Sequence, residues 1–88
     1  MHTFYLGIDL HLKRTYVVLM DQTGQVLDER RLPNEEVKDY LKRRVPKETY
    51  AVIEATRNWA FMYDLLIEHV ERVELAHPKE LKAISAAA

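Results

Sequence analysis

Apolar and polar residues change places along this chain with two different periods. From Thr3 to Leu10 they alternate. Phe4, Leu6, Ile8 and Leu10 fall on one side of an extended segment, and Tyr5, Gly7 and Asp9 fall on the other. This pattern predicts a first strand, in which Gly7 allows close approach on the Asp9 face. HLKR (11–14) makes a short connection, and the β-branched run TYVVLM (15–20) predicts a second strand. DQTG (21–24) turns the chain, with Asp21 opening a type I turn and Gly24 supplying a positive φ ahead of a bulge. QVLDERRL (25–32) predicts a third strand, with Val26 on one face and Leu27 on the other. Its charges place it at a sheet edge. The three strands make an antiparallel meander.

The period then lengthens. Asn34, behind Pro33, is the expected N-cap of a first helix, and Glu35 and Glu36 suit its positive start. Val37, Tyr40, Leu41 and Val45 recur at helical spacing, and Pro46 stops the helix. TYAVIEA (49–55) is nearly all apolar, which predicts a central fourth strand covered on both faces. Trp59, Met62, Tyr63, Leu66 and Val70 line one side of a second helix running from about residue 58 to residue 70. RVELA (72–76) predicts a fifth strand, and Pro78 opens a third helix, PKELKAISAAA. The order is βββαβαβα. Right-handed crossovers between parallel strands place the fourth strand beside the first. The expectation is an α/β fold with a five-stranded mixed sheet in the order 3-2-1-4-5.

Composition narrows the class. The 88 residues suit one small domain. Apolar residues make up 48% and charged residues 31%, the balance of a soluble globular protein. A formal net charge of −1 excludes whole-domain electrostatic capture of nucleic acid, so any basic surface is local. Without cysteine there is neither a disulfide nor a thiolate metal site, which fits a reducing cytoplasm. No segment has the length of a membrane helix, and the first apolar run is short and holds Asp9, unlike a signal peptide.

Two acids stand out against this pattern. Asp9 sits near the end of the first strand and Glu54 near the end of the fourth, in FYLGIDLH and AVIEAT. Taken singly, an acid at a strand end caps a turn or meets solvent. If the two strands are parallel neighbours about 4.8 Å apart, however, Tyr5/Gly7/Asp9 and Tyr50/Val52/Glu54 share a face and the carboxylates converge. Like charges held that close either share a proton or are neutralised by a divalent cation. Mg²⁺ takes hard oxygen ligands, commonly one or two carboxylates from a protein. Paired ions of this kind stabilise both oxygens of a phosphodiester displacement.

The segments YLGIDLHLKRTYVVLMDQTGQVL, VIEATRNW and VELAHPKELKAI carry these acids in order. Together they resemble the N-terminal domain of DEDD-type insertion-sequence transposases, a family with a RuvC-like, ribonuclease H-like fold. The resemblance spans about Phe4 to Ile84. It implies that residues 1–88 are a single RuvC-like N-terminal domain fragment, cut after the start of the third helix, without the C-terminal transposase domain. It implies that Asp9 and Glu54 are the first two of four acidic ligands for Mg²⁺ or Mn²⁺, in a site for DNA cleavage and strand transfer. The other two belong to a Lys-Thr-Asp-like segment and a following Asp. Asp21, Asp28, Asp39 and Asp64 do not fit that pattern. The fragment alone is therefore expected to be inactive. The implied partners are DNA and, for some members, a structured guide RNA. The implied setting is the prokaryotic cytoplasm, at the nucleoid.

Arg57, where members often have Gly, is a candidate phosphate contact, and so are Lys13 and Arg14 in the loop after Asp9. Each has a plainer reading as an exposed cation. Lys42, Arg43, Arg44 and Lys47 are accounted for by the negative end of the first helix. Trp59, Met62 and Tyr63 read as core rather than as a stacking platform for bases. His2, His11, His69 and His77 lack metal-ligand spacing, and His11 reads as a loop residue. Two other functions compete. One is a non-catalytic interaction module whose uncovered sheet face drives homo-oligomerisation. The other is an actin-like ATPase or sugar-kinase-type phosphate-binding domain. The second also opens with a hydrophobic-Gly-Ile-Asp strand, but it needs small residues after the Asp, where this chain has Leu10, His11, Leu12 and Lys13.

Overall fold

The alternating segments build three successive strands, β1 (Phe4–Leu10), β2 (Arg14–Asp21) and β3 (Val26–Pro33). A 3-10 turn over Asn34–Glu36 leads into α1 (Val37–Arg44). Then follow β4 (Thr49–Glu54), α2 (Ala60–Ile67) and β5 (Arg72–Ala76). The computed structural model describes residues 3–54 and 59–76. The expected third helix and residue 58, where the expected second helix begins, lie outside that range.

The strands form one sheet in the order β3-β2-β1-β4-β5. β1 pairs antiparallel with β2 and parallel with β4, β2 pairs antiparallel with β3, and β4 pairs parallel with β5. This is the expected α/β mixed sheet, and over the described residues the order βββαβαβ has ribonuclease H-like topology.

The sheet grows in one direction through both strand–helix–strand steps, so right-handed crossovers lay α1 and α2 on the same face. Leu6, Ile8, Leu10, Val17, Leu19, Ala51 and Ile53 meet the helices there. α1 contributes Val37, Tyr40 and Leu41, with Val45 just beyond its end, and α2 contributes Met62 and Leu66, followed by Val70. Trp59 and Tyr63 pack against this core edge to face, with ring centroids 6.0 Å apart. Among the described residues, the buried polar side chains Thr15 and Thr49 are satisfied locally. The Thr15 hydroxyl donates to Asn34 Oδ1 and the Thr49 hydroxyl to the Pro46 carbonyl.

Three expectations change. β4 was expected to be covered on both faces, yet only Thr49, Ala51 and Ile53 are buried, while Tyr50 and Val52 stay half-buried and Glu54 is exposed. An apolar run cannot by itself reveal which side the crossovers choose. Asn34 is not a helix cap. It is the first residue of the 3-10 turn, no side chain caps either that turn or α1, and the Asn34 amide is used elsewhere. Along β3, Leu19 pairs with Asp28 but Met20 pairs with Val26, so Leu27 bulges out of the ladder. Val26 and Leu27 are therefore both about half exposed, at 51% and 48%, instead of sorting to opposite faces. The turn before the bulge is as expected. Gly24 has φ of 90°, and Asp21 Oδ1 accepts from the Thr23 and Gln25 amides.

Candidate functional site

Period two fixes which side chains stand on the face away from α1 and α2. Tyr5, Gly7 and Asp9 of β1 stand in register with Tyr50, Val52 and Glu54 of β4. The Tyr5 and Tyr50 rings lie 6.2 Å apart, so both strands present this set of side chains to the same side. Asp9 and Glu54 are therefore direct neighbours on adjacent parallel strands, about 5 Å apart at the backbone. Each lies at or beside the carboxyl end of its strand, where ligands of open α/β sheets gather.

Both acids line one hollow of about 330 Å³, together with Gly7, Tyr16, Val18 and Val52. A Cβ placed on Gly7 would meet no heavy atom within 4 Å. Among the described residues, then, no chain approaches closely there, and the glycine simply deepens the floor beneath the acids. Glu54 is exposed, and the Asp9 side chain is 49% exposed. The Asp9 Oδ2 atom lies 3.1 Å from His11 Nε2. His11 is a loop residue, as expected, but its ring folds back onto the acid, a contact that follows from the turn geometry.

That turn is held by a residue the sequence reading assigned elsewhere. Asn34 Nδ2 donates to the carbonyls of His11 at 2.9 Å and Leu12 at 3.1 Å, and the Asn34 amide donates to the Lys13 carbonyl at 3.0 Å. With the Thr15 hydroxyl bonded to Oδ1, Asn34 ties the loop after Asp9 to the end of β3. Only an Asn paired in space with a tight β1–β2 turn would have signalled this, and sequence spacing carries no such cue.

The remaining candidates separate. Arg14 opens β2 and lines a second hollow of about 480 Å³ with Asp9, His11, Tyr16 and Arg31. Lys13 lines a neighbouring groove with Leu12, Arg14, Pro33, Asn34 and Glu35. Arg57 lies outside the described residues. Met62 is wholly buried, in keeping with its reading as core. The Tyr16 hydroxyl donates to Glu29, and that bond is the main reason its pKa is raised.

Two carboxylates side by side above an open hollow are a hard-oxygen donor set that suits Mg²⁺ or Mn²⁺ with water completing the shell. Among the described residues no group of three or more His, Asp or Glu is placed to hold an ion. No helix among the described residues is long and apolar enough to cross a membrane. The fold and site define the chain as a domain of ribonuclease H-like topology with an acid pair at its central strand ends. No protein-family model matches the chain, and no curated protein matches it.

Proposed function

We propose that this domain supplies two acidic ligands of a divalent-metal phosphodiester site, of the kind used by insertion-sequence transposases for DNA cleavage and strand transfer. The observation that carries the reading is the register of Asp9 with Glu54 on neighbouring parallel strands, on the face away from α1 and α2. Asp9 Oδ2 is steadied by His11, and no other side chain among the described residues bonds this carboxylate. Asp9 and Glu54 would hold the ion, which when bound neutralises charge on the attacking and leaving oxygens. The chain's own residues orient that position. Asn34 fixes the loop after Asp9, and the Gly7 hollow admits substrate backbone.

Mn²⁺ titration followed by NMR tests the reading. Line broadening is expected to centre on Asp9 and Glu54, to need high Mn²⁺ because two carboxylates bind weakly, and to vanish in Asp9→Asn. Broadening that ignores this substitution would sink the proposal. These 88 residues hold two of the four acids that the resemblance implies, so no nuclease turnover is expected in Mg²⁺ or Mn²⁺. Turnover abolished by Asp9→Ala would contradict that expectation. A second reading, an interaction module, draws on Tyr5, which is exposed, and on Val18 and Val52, which stay only part-buried on the same face. Sedimentation showing a monomer across concentration counts against it.

A further inference from the structure

The strand register sets five residues in one row across the open face. Ala76 pairs with Glu54, Glu54 with Asp9, Asp9 with Tyr16, and Tyr16 with Arg31. Read across the sheet, the acids occupy its centre and a cation stands on β3, two strand spacings or about 10 Å from Asp9. Arg14 lies two residues before Tyr16 on β2, hence on the same face and diagonal to Arg31. Both guanidinium-bearing residues line the hollow of about 480 Å³ that also touches Asp9, His11 and Tyr16. Asp9 and Tyr16 line the acid hollow as well, so the two hollows adjoin along a groove bordered by these residues.

The cations of this groove are not spent on the fold. Among the described residues no ion pair involves Arg14 or Arg31, whereas Arg30, Arg43 and Arg72 are each paired with a carboxylate. The nearby carboxylate of Glu29 is engaged by the Tyr16 hydroxyl. Arg31 is close enough to that hydroxyl for its charge to oppose the upward shift Glu29 causes. A planar guanidinium with free donors matches phosphate oxygens in a way that a hydrated lysine does not.

We propose that Arg14 and Arg31 form a phosphodiester-backbone subsite that holds a DNA strand across the β2–β3 side of the acid pair, gripping a phosphate neighbouring the one that faces Asp9 and Glu54. The inference takes its ligand class from the phosphodiester reading above, and it adds the path of the strand and a residue, Arg31, that sequence reasoning did not single out. Tyr16 lies between cation and acid and forms the floor over which the strand passes.

Fluorescence anisotropy of the full 88-residue chain with a labelled oligothymidylate tests it. Arg31→Gln and Arg14→Gln are each expected to weaken binding about three- to tenfold and to flatten the log–log salt dependence by about 0.7. Arg31→Lys should recover part of the loss. Lys42→Gln on α1 should change neither quantity. Inorganic phosphate at the same phosphate concentration should fail to displace the oligonucleotide. Unchanged affinity and salt slope in both arginine variants, a larger loss in Lys42→Gln, or full displacement by inorganic phosphate would each overturn the subsite. The Mn²⁺ titration separates this inference from the metal reading, because Arg31→Gln should leave the broadening at Asp9 and Glu54 intact. If Mn²⁺ never broadens those residues while the arginine dependence holds, the metal reading falls and the backbone subsite stands.

Discussion

Asn34 does more for the site than any helix cap could. Its side chain closes three hydrogen bonds, two of them to carbonyls of the loop that follows Asp9. Asn34→Ala would strand those carbonyls and the buried Thr15 hydroxyl, at a cost of about 1–2 kcal/mol. Urea unfolding should show that loss, and the amide resonances of residues 11–13 should move with it. At Gly24 the φ of 90° is one that L side chains rarely adopt, so Gly24→Ala should cost about 1–2 kcal/mol in the same measurement. At this scale the sequence revealed the acids clearly, because alternation alone decides on which face Asp9 and Glu54 stand. It hid Asn34, whose partners are brought to it only by the closed meander. The local capping signal, Asn followed by two glutamates, pointed to the wrong job.

Among the elements, β4 shows the difference a single side makes. Ile53 is fully buried beneath the helices, whereas its neighbour Val52 lies on the open face. Ile53→Ala should therefore cost about 2–5 kcal/mol by chemical denaturation, and Val52→Ala less than about 1 kcal/mol. Equal losses would mean that both faces of β4 are packed. Helical spacing correctly marked the core positions of α1 and α2, because buried stripes repeat locally. One-sided cover was not legible in β4. It follows from two crossovers of the same hand, and such a property belongs to the sheet rather than to any segment.

The whole molecule carries one network that ties its edge strand to a helix across the core face. The Tyr40 hydroxyl donates to Asp28 Oδ2 at 2.9 Å, Arg30 Nε lies 3.0 Å from the same oxygen, and the Arg30 guanidinium sits 5.4 Å from the Tyr40 ring centre. Burial, helped by the bond to Asp28, pushes the Tyr40 hydroxyl up to about 12. Burial also works to raise Asp28, but the Tyr40 and Arg30 hydrogen bonds and the Arg30 charge outweigh it and leave the carboxyl below its usual value. The stability from Asp28 is thus present above the unfolded carboxylate value of about 3.9 and is lost as pH falls through its lower folded value. The stability from Tyr40 is complete below about pH 10 and is lost as pH rises from there through 12. Unfolding followed across pH should give a constant gap of about 1–2 kcal/mol between wild type and Tyr40→Phe near neutrality, narrowing at the alkaline end. The strand order and the parallel pairing of β1, β4 and β5 were legible early, because strand–helix–strand steps leave few arrangements. The direction in which β3 points its charges was not, and the extra residue at Leu27 decides it. That residue acts as a change of parity. Counted strictly by twos from Val26, Arg31 would turn inward beneath α1 and Asp28 would turn outward. One uncounted position inverts this, so a single deletion or insertion in the hairpin arm can rewire which charges look toward the acids without altering any of them.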